Sequence, residues 1–181
     1  RYYDLLYKDK DYRAEASYIN RLLQQYVSGK CDIIEFGSGT GHHANILTNK
    51  YGHKIHGVEI SAEMASNARE DENFTCVVGD MRVYDAQRTF DCALALFHVV
   101  SYLTSDSDVN LFLNNANRHL AIGGVLVFDV WFAECVNHVK PSTRVKRMQL
   151  DGLEVIRLAE PTSHPEDSVI DIDYSIFVKD N

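Results

Sequence analysis

The chain predicts an α/β domain, doubly wound around a mostly parallel sheet. Three observations carry this reading. Short apolar runs alternate with helical patterns five times, as strands joined by crossover helices do. The first run, Ile33-Ile34-Glu35-Phe36, breaks into Gly37-Ser38-Gly39-Thr40-Gly41 before a helical stretch. An acid stands at the end of each of the first three runs: Glu35, Glu59 and Asp80.

Taken in order, Tyr12, Ala16, Ile19, Leu22, Leu23 and Tyr26 recur at helical spacing, so 12–27 reads as an amphipathic helix. The first strand follows. Lys54 to Glu59 reads as the second strand, and Ser61 caps a helix through about Arg69. Phe74 to Val78 is a third strand. Phe90 to Phe97 is a fourth, continuous in apolar character as a buried parallel strand should be. Ser105-Asp106-Ser107-Asp108 starts a helix from about Asp106 to Leu120, stopped by Gly123-Gly124, and 125–130 is the fifth strand, ending near Asp129. Beyond it the pattern changes. Leu153 to Leu158 and Val169 to Val178 read as an antiparallel hairpin, and Ile170, Ile172, Tyr174, Ile176 and Val178 alternate with more polar positions as one buried face. The chain stops at Lys179-Asp180-Asn181, before a sixth and a seventh core strand, so the domain reads as C-terminally incomplete.

The glycine turn points to a nucleotide-type cofactor, because glycines let backbone approach a ligand closely and the helix behind offers free N–H groups. A dinucleotide fingerprint needs glycine at the sixth position from Gly37, where His42 stands. Glu35, just before the turn, would also repel a diphosphate. A phosphate-free cofactor with a cationic part suits it better, and S-adenosyl-L-methionine is such a molecule. Glu59, 22 positions after Gly37, is placed to accept from a ribose diol. Asp80 can accept from an adenine amine, and the Met81 backbone can meet a ring nitrogen.

Composition narrows the partners. The chain has 181 residues, 45% hydrophobic and 24% charged, with a net charge of −8. That suits one globular domain and disfavours a nucleic-acid partner, whose phosphates demand a basic surface. No apolar run approaches the ~18 residues of a membrane span. Cys31, Cys76, Cys92 and Cys135 lack paired spacing and read as structural thiols, which suits the cytoplasm. No histidine pair has zinc spacing, so no metal is expected. His42 and His43 open a helix and line the glycine turn, whereas His119 reads as structural. His98 leaves the fourth strand where an acceptor would sit, and it is able to take a proton near neutral pH. Tyr102 lies one turn further on.

Together the glycine turn and strand-end acids resemble the class I S-adenosylmethionine-dependent methyltransferases, which have a Rossmann-like sheet, over nearly the whole chain. Within these, Tyr3-Asp4-Leu5-Leu6, Lys10 to Ala16, and Gly123 to Phe132 are similar to the nucleotide-amino-sugar N-methyltransferases of deoxysugar biosynthesis. The resemblance implies methyl transfer to a small-molecule amine, with Tyr3 and Tyr12 over the cofactor and Gly37, Gly39, Gly41, Glu35, Glu59, Asp80, Met81 and Phe97 around it. His98 and Tyr102 are the candidate catalytic residues. Trp131 and Phe132 either stack on the substrate or close a core; Tyr12 either covers the cofactor or simply packs its helix. A small-molecule O-methyltransferase and a non-catalytic cofactor-binding module remain alternatives. On this reading 1–30 covers the cofactor, 31–130 binds it, and 131–181 is an inserted antiparallel segment giving homodimer contacts.

Overall fold

The computed structural model describes residues 7, 10–150 and 152–180. It divides into two compact units, one of residues 11–130 and the other of the residues up to 10 together with 131–181.

The larger unit is built on a five-stranded parallel sheet in the order β3-β2-β1-β4-β5. Its strands are β1 (Asp32–Phe36), β2 (Lys54–Glu59), β3 (Phe74–Val78), β4 (Phe90–Ala95) and β5 (Leu120–Phe128). Alternation along β1 sends Ile33 into one apolar cluster and Ile34 with Phe36 into another, so both faces are covered. On the first face lie α1 (Tyr12–Leu23) and α2 (His42–Tyr51), through Ala16, Ile19, Leu23, Ala44 and Leu47. On the second lies α4 (Asp106–His119), through Phe112 and Ala116. A short α3 (Ala62–Ser66) follows β2. The expected caps are present: Ser61 accepts from the Met64 N–H at 3.3 Å and Ser105 from the Asp108 N–H at 3.1 Å.

Several expected boundaries move: β4 ends at Ala95 rather than Phe97, and α3 at Ser66 rather than about Arg69. Helix α1 ends at Leu23 rather than Val27. The Gln24 side-chain amide donates to Gly29 O at 2.8 Å and accepts from the Gly29 N–H at 3.2 Å, which folds the chain back. The glycine pair does not stop a helix: α4 ends at His119, and β5 runs through Gly123 and Gly124. Here Phe90 pairs with Leu120 but Cys92 with Val125, so β5 bulges. Gly123 takes φ +83°, and a Cβ on Gly124 would lie 2.9 Å from the Asp91 carbonyl.

The smaller unit holds α5 (Ala133–His138) and an antiparallel sheet ordered β6-β7-β8. The expected hairpin is present as longer strands, β7 (Leu153–His164) and β8 (Val169–Asp180), but a third strand, β6 (Arg144–Leu150), joins it. The expected buried face of β8 is only partly buried: Ile170, Ile172 and Ile176 are half-covered while Tyr174 and Val178 are exposed. Met148 and Val155 form this unit's small core, with Tyr7, Leu153 and Ile176 packed on it.

Candidate active site

The carboxyl ends of the parallel strands gather most of the expected residues. Gly37, Gly39 and Gly41 take φ of +71°, +58° and +81°, a region closed to most side chains. Space closes it as well: a Cβ on Gly37 would sit 2.6 Å from Val99 Cγ1, and one on Gly41 would enter the Phe74 ring. The turn is pinned to β2, with the Gly37 N–H donating to Val58 O at 2.7 Å.

Glu59 holds the turn as well. Its Oε2 accepts from the Gly39 N–H and its Oε1 from the Ser61 N–H, both at 2.9 Å. The carboxylate therefore clamps two loops, and each oxygen keeps a further lone pair for a ligand donor. Glu35 sits deeper, 2% exposed, and its Oε2 has no hydrogen-bond partner among the described residues. Burial, and then the charge of Glu59, push its carboxyl up to about 8. Near pH 7 it is therefore largely neutral, and a cation brought beside it would favour the ionised form.

Asp80 has a different environment. Arg82 donates to it through Nε, at 3.0 Å to each oxygen, and through a terminal nitrogen at 2.6 Å to Oδ2. These hydrogen bonds hold its carboxyl below the usual range. The other guanidinium nitrogen reaches Asp108 Oδ1 at 2.7 Å, tying the exit of β3 to the start of α4. The Met81 carbonyl accepts from Asn115 Nδ2 at 2.8 Å.

At the β4 exit, Phe97 and His98 both adopt left-handed backbone, at φ +66° and +61°. Two consecutive non-glycine residues there cost on the order of 1–3 kcal/mol each unless held. Asp129 holds them: Oδ1 accepts from the Phe97 N–H at 2.7 Å and Oδ2 from the His98 N–H at 3.1 Å. His98 Nδ1 also lies 2.8 Å from Oδ2, as a close ion-pair contact rather than an aligned hydrogen bond. Tyr102 ends the 3₁₀ turn that follows and is 82% exposed. The sequence alone gave Asp129 no task. The one signal available was an acid on the strand beside the β4 exit.

On the α1 side, the Tyr12 ring stacks on His42 at 4.7 Å and meets His43 edge-on at 5.0 Å. His43 Nε2 lies 2.8 Å from Glu15 Oε2. Tyr3 lies outside the described residues. Trp131 and Phe132 are exposed and belong to the smaller unit, where Phe132 precedes α5. Among the described residues no three His, Cys, Asp or Glu side chains gather as a metal ion would require. No helix among them is long and apolar enough to cross a membrane.

Residues 33–124, which contain the glycine turn, Glu35, Glu59, Asp80 and His98, match the methyltransferase domain model. The chain belongs to the methyltransferase-domain family. A curated relative from Streptomyces venezuelae, dTDP-3-amino-3,4,6-trideoxy-alpha-D-glucopyranose N,N-dimethyltransferase, is 32% identical over 133 residues, covering 72% of this chain and 56% of the relative. A second, dTDP-4-amino-2,3,4,6-tetradeoxy-D-glucose N,N-dimethyltransferase from Saccharopolyspora spinosa, is 29% identical over 72% of this chain and 53% of its own length. The chain thus spans about half the length of the curated relatives it matches. The sugar N-methyltransferase KedS8 from Streptoalloteichus shares the fold with a TM-score of 0.81, at 24% identity, over 97% of this chain and 76% of that one. The methyltransferase match stops at Gly124, short of Asp129 and of the whole antiparallel sheet.

Proposed function

We propose that the chain is part of an S-adenosylmethionine-dependent methyltransferase acting on the amino group of a nucleotide-linked sugar. The observation that carries the cofactor is the strand-end constellation of Glu35, Glu59 and the three left-handed glycines. A buried, unpartnered carboxyl oxygen on Glu35 fits a ligand that brings positive charge and no phosphate. A clamped Glu59 with spare lone pairs fits a ribose diol. Gly37, Gly39, Gly41, Asp80, Met81 and Phe97 would complete the cradle, with Tyr3 and Tyr12 over it. The cofactor would supply an electrophilic methyl group on a sulfonium. What remains for the protein is alignment and proton removal.

Support for the acceptor comes from the two relatives named as dTDP-amino-sugar N,N-dimethyltransferases. Trp131 and Phe132 are the proposed acceptor contacts, residues 1–30 the cofactor cover and 131–181 the segment through which two copies would associate, in the cytoplasm. An amine acceptor needs only to be neutral when it attacks. The contact of His98 with Asp129 favours a second reading, transfer to a hydroxyl, because Asp129 holds an imidazole, a side chain able to serve as a general base, at the β4 exit. Tyr102 would then be the next candidate.

The test is incubation of the full protein with S-adenosylmethionine and a panel of dTDP-amino and dTDP-hydroxy sugars, read by mass spectrometry. A mass gain of one or two methyl groups on the amino sugars, with S-adenosylhomocysteine formed in step, is the expected result. Gain only on hydroxy sugars would select the second reading. Tight binding of S-adenosylhomocysteine with no product from any acceptor would reduce the chain to a binding module.

A further inference from the structure

In the turn after β3, Gly79-Asp80-Met81-Arg82, the proposed cradle uses Asp80 and Met81 and gives Arg82 no task. Arg82 nevertheless surrounds Asp80. Its Nε donates to both carboxylate oxygens at 3.0 Å, one terminal nitrogen donates to Oδ2 at 2.6 Å, and its backbone N–H donates to Oδ1 at 2.9 Å. The other terminal nitrogen donates to Asp108 Oδ1 at 2.7 Å. Asp108 is anchored in turn in the first turn of α4. Its N–H donates to Ser105 Oγ, and its Oδ2 accepts from the same hydroxyl, both at 3.1 Å. The guanidinium is thus held at both ends.

Arg82, Asp80 and Asp108 are 36%, 24% and 30% exposed, and ion pairs this open contribute little stability. What they fix is direction. An ionised carboxylate has about four lone-pair sites. Arg82 aims three N–H groups at those of Asp80, which leaves room for about one more donor. Turning the carboxylate to accept elsewhere would break the fork, so the remaining acceptor points one way. The neighbouring residue is fixed as well, because the Met81 carbonyl accepts from the buried Asn115 at 2.8 Å. A single aimed acceptor suits one N–H of a neutral amine. A carbonyl oxygen in the same place would meet a carboxylate lone pair and be repelled.

We propose that Arg82 is a positioning residue, which aims Asp80 at the exocyclic amine of the cofactor's adenine and so makes the site select an amino-purine over an oxo-purine. The inference rests on the S-adenosylmethionine reading of the cradle and deepens it, by tracing base selectivity to a side chain that acts through Asp80.

Titration calorimetry of the full chain with S-adenosylhomocysteine and with S-inosylhomocysteine, in which an oxo group replaces the adenine amine, tests it. The wild type should prefer the adenine ligand by roughly 10- to 100-fold, the range for a charge-assisted hydrogen bond exchanged for two facing acceptors. Arg82→Gln should bring the two affinities within about threefold of each other, since the carboxylate can then turn away. Arg82→Lys, which keeps the charge and loses the fork, should restore only part of the preference. A side chain that merely held the fold would weaken both ligands alike and leave their ratio unmoved. Should Arg82→Gln fail to fold by circular dichroism, Asp108→Asn carries the test by freeing the far end of the guanidinium, with a smaller drop in the ratio expected. An unchanged ratio in the folded variants, or no preference in the wild type, would overturn the proposal. Failure of the wild type to bind either ligand would reject the cofactor reading and the proposal with it. An Arg82-dependent preference with no methylation of any acceptor would reject the proposed reaction and leave the role of Arg82 standing.

Discussion

The carboxyl edge of the parallel sheet has two halves that treat their acids in opposite ways. Across β1 and β2, Glu35 and Glu59 are buried close together; Glu59 accepts two backbone N–H groups, while Glu35 is pushed towards neutrality. Across β4 and β5, Asp129 accepts two backbone N–H groups and contacts an imidazole, and both it and His98 stay open to solvent. The first half has the character of a binding cradle whose missing charge a ligand would supply. The second is a half-exposed pair suited to moving a proton. Position at a strand end is common to both, and Glu59 and Asp129 each accept two backbone N–H groups, so the difference lies in burial: Glu35 and Glu59 are closed off from solvent and Asp129 is not.

The comparison breaks first at its steric frame. Gly41→Ala would place a methyl group at φ +81° against Phe74, and it should destabilise the fold by about 2–4 kcal/mol. Urea unfolding measures this; a loss under about 0.5 kcal/mol would show that the turn relaxes freely.

Next is the neutral acid. Because burial raises the Glu35 pKa in the folded chain, its native form holds a proton that the unfolded chain releases from about pH 4.5 upward. Stability should fall as pH rises from there to about 8 and level off above, by a few kcal/mol at most. In Glu35→Gln that decline should vanish, leaving the variant relatively more stable at high pH. Parallel melting-temperature profiles of the two proteins would contradict the assignment.

Glu59→Ala should weaken S-adenosylhomocysteine by about 1–3 kcal/mol, as lost charge-assisted hydrogen bonds do. Equal affinity in calorimetry would remove Glu59 from the cradle. The smallest effect belongs to the other half. With an amine acceptor Asp129→Asn should lower kcat only about tenfold, whereas a hydroxyl acceptor should raise the loss to about 10²–10⁴, the range of a general base. The size of that loss in steady-state kinetics, alongside the acceptor's identity, sharpens the contrast between cradle and proton-moving pair.

Much of this was legible in the residues. The β2 and β3 limits are as expected from the short apolar runs and the Gly79 that ends the second of them, although β3, at the sheet edge, leaves Thr75 and Val78 exposed. The caps at Ser61 and Ser105 follow from local chemistry. What stayed hidden depends on partners distant in sequence. Gly123-Gly124 looks like a helix stop until the neighbouring strand shows that it is a bulge. Arg144–Leu150 carries too few apolar residues to announce a strand, and only pairing with β7 makes it one. The capture of Phe97 and His98 by Asp129 spans more than thirty residues, and no spacing rule reaches that far.

His53 gives the far end of the sheet a consequence of its own. The buried ring accepts the Cys31 N–H on Nδ1 at 3.0 Å, and its Nε2 lies 2.9 Å from Asn20 Oδ1 on α1. One neutral imidazole thus fastens the first helix to the residue that leads into β1, and burial keeps its pKa low. The Cys31 amide is therefore a natural clock for this fastening. Its deuterium uptake, set against the intrinsic exchange rate at each pH, counts the moments when this fastening opens, and acid that protonates the ring should lower the protection of that amide.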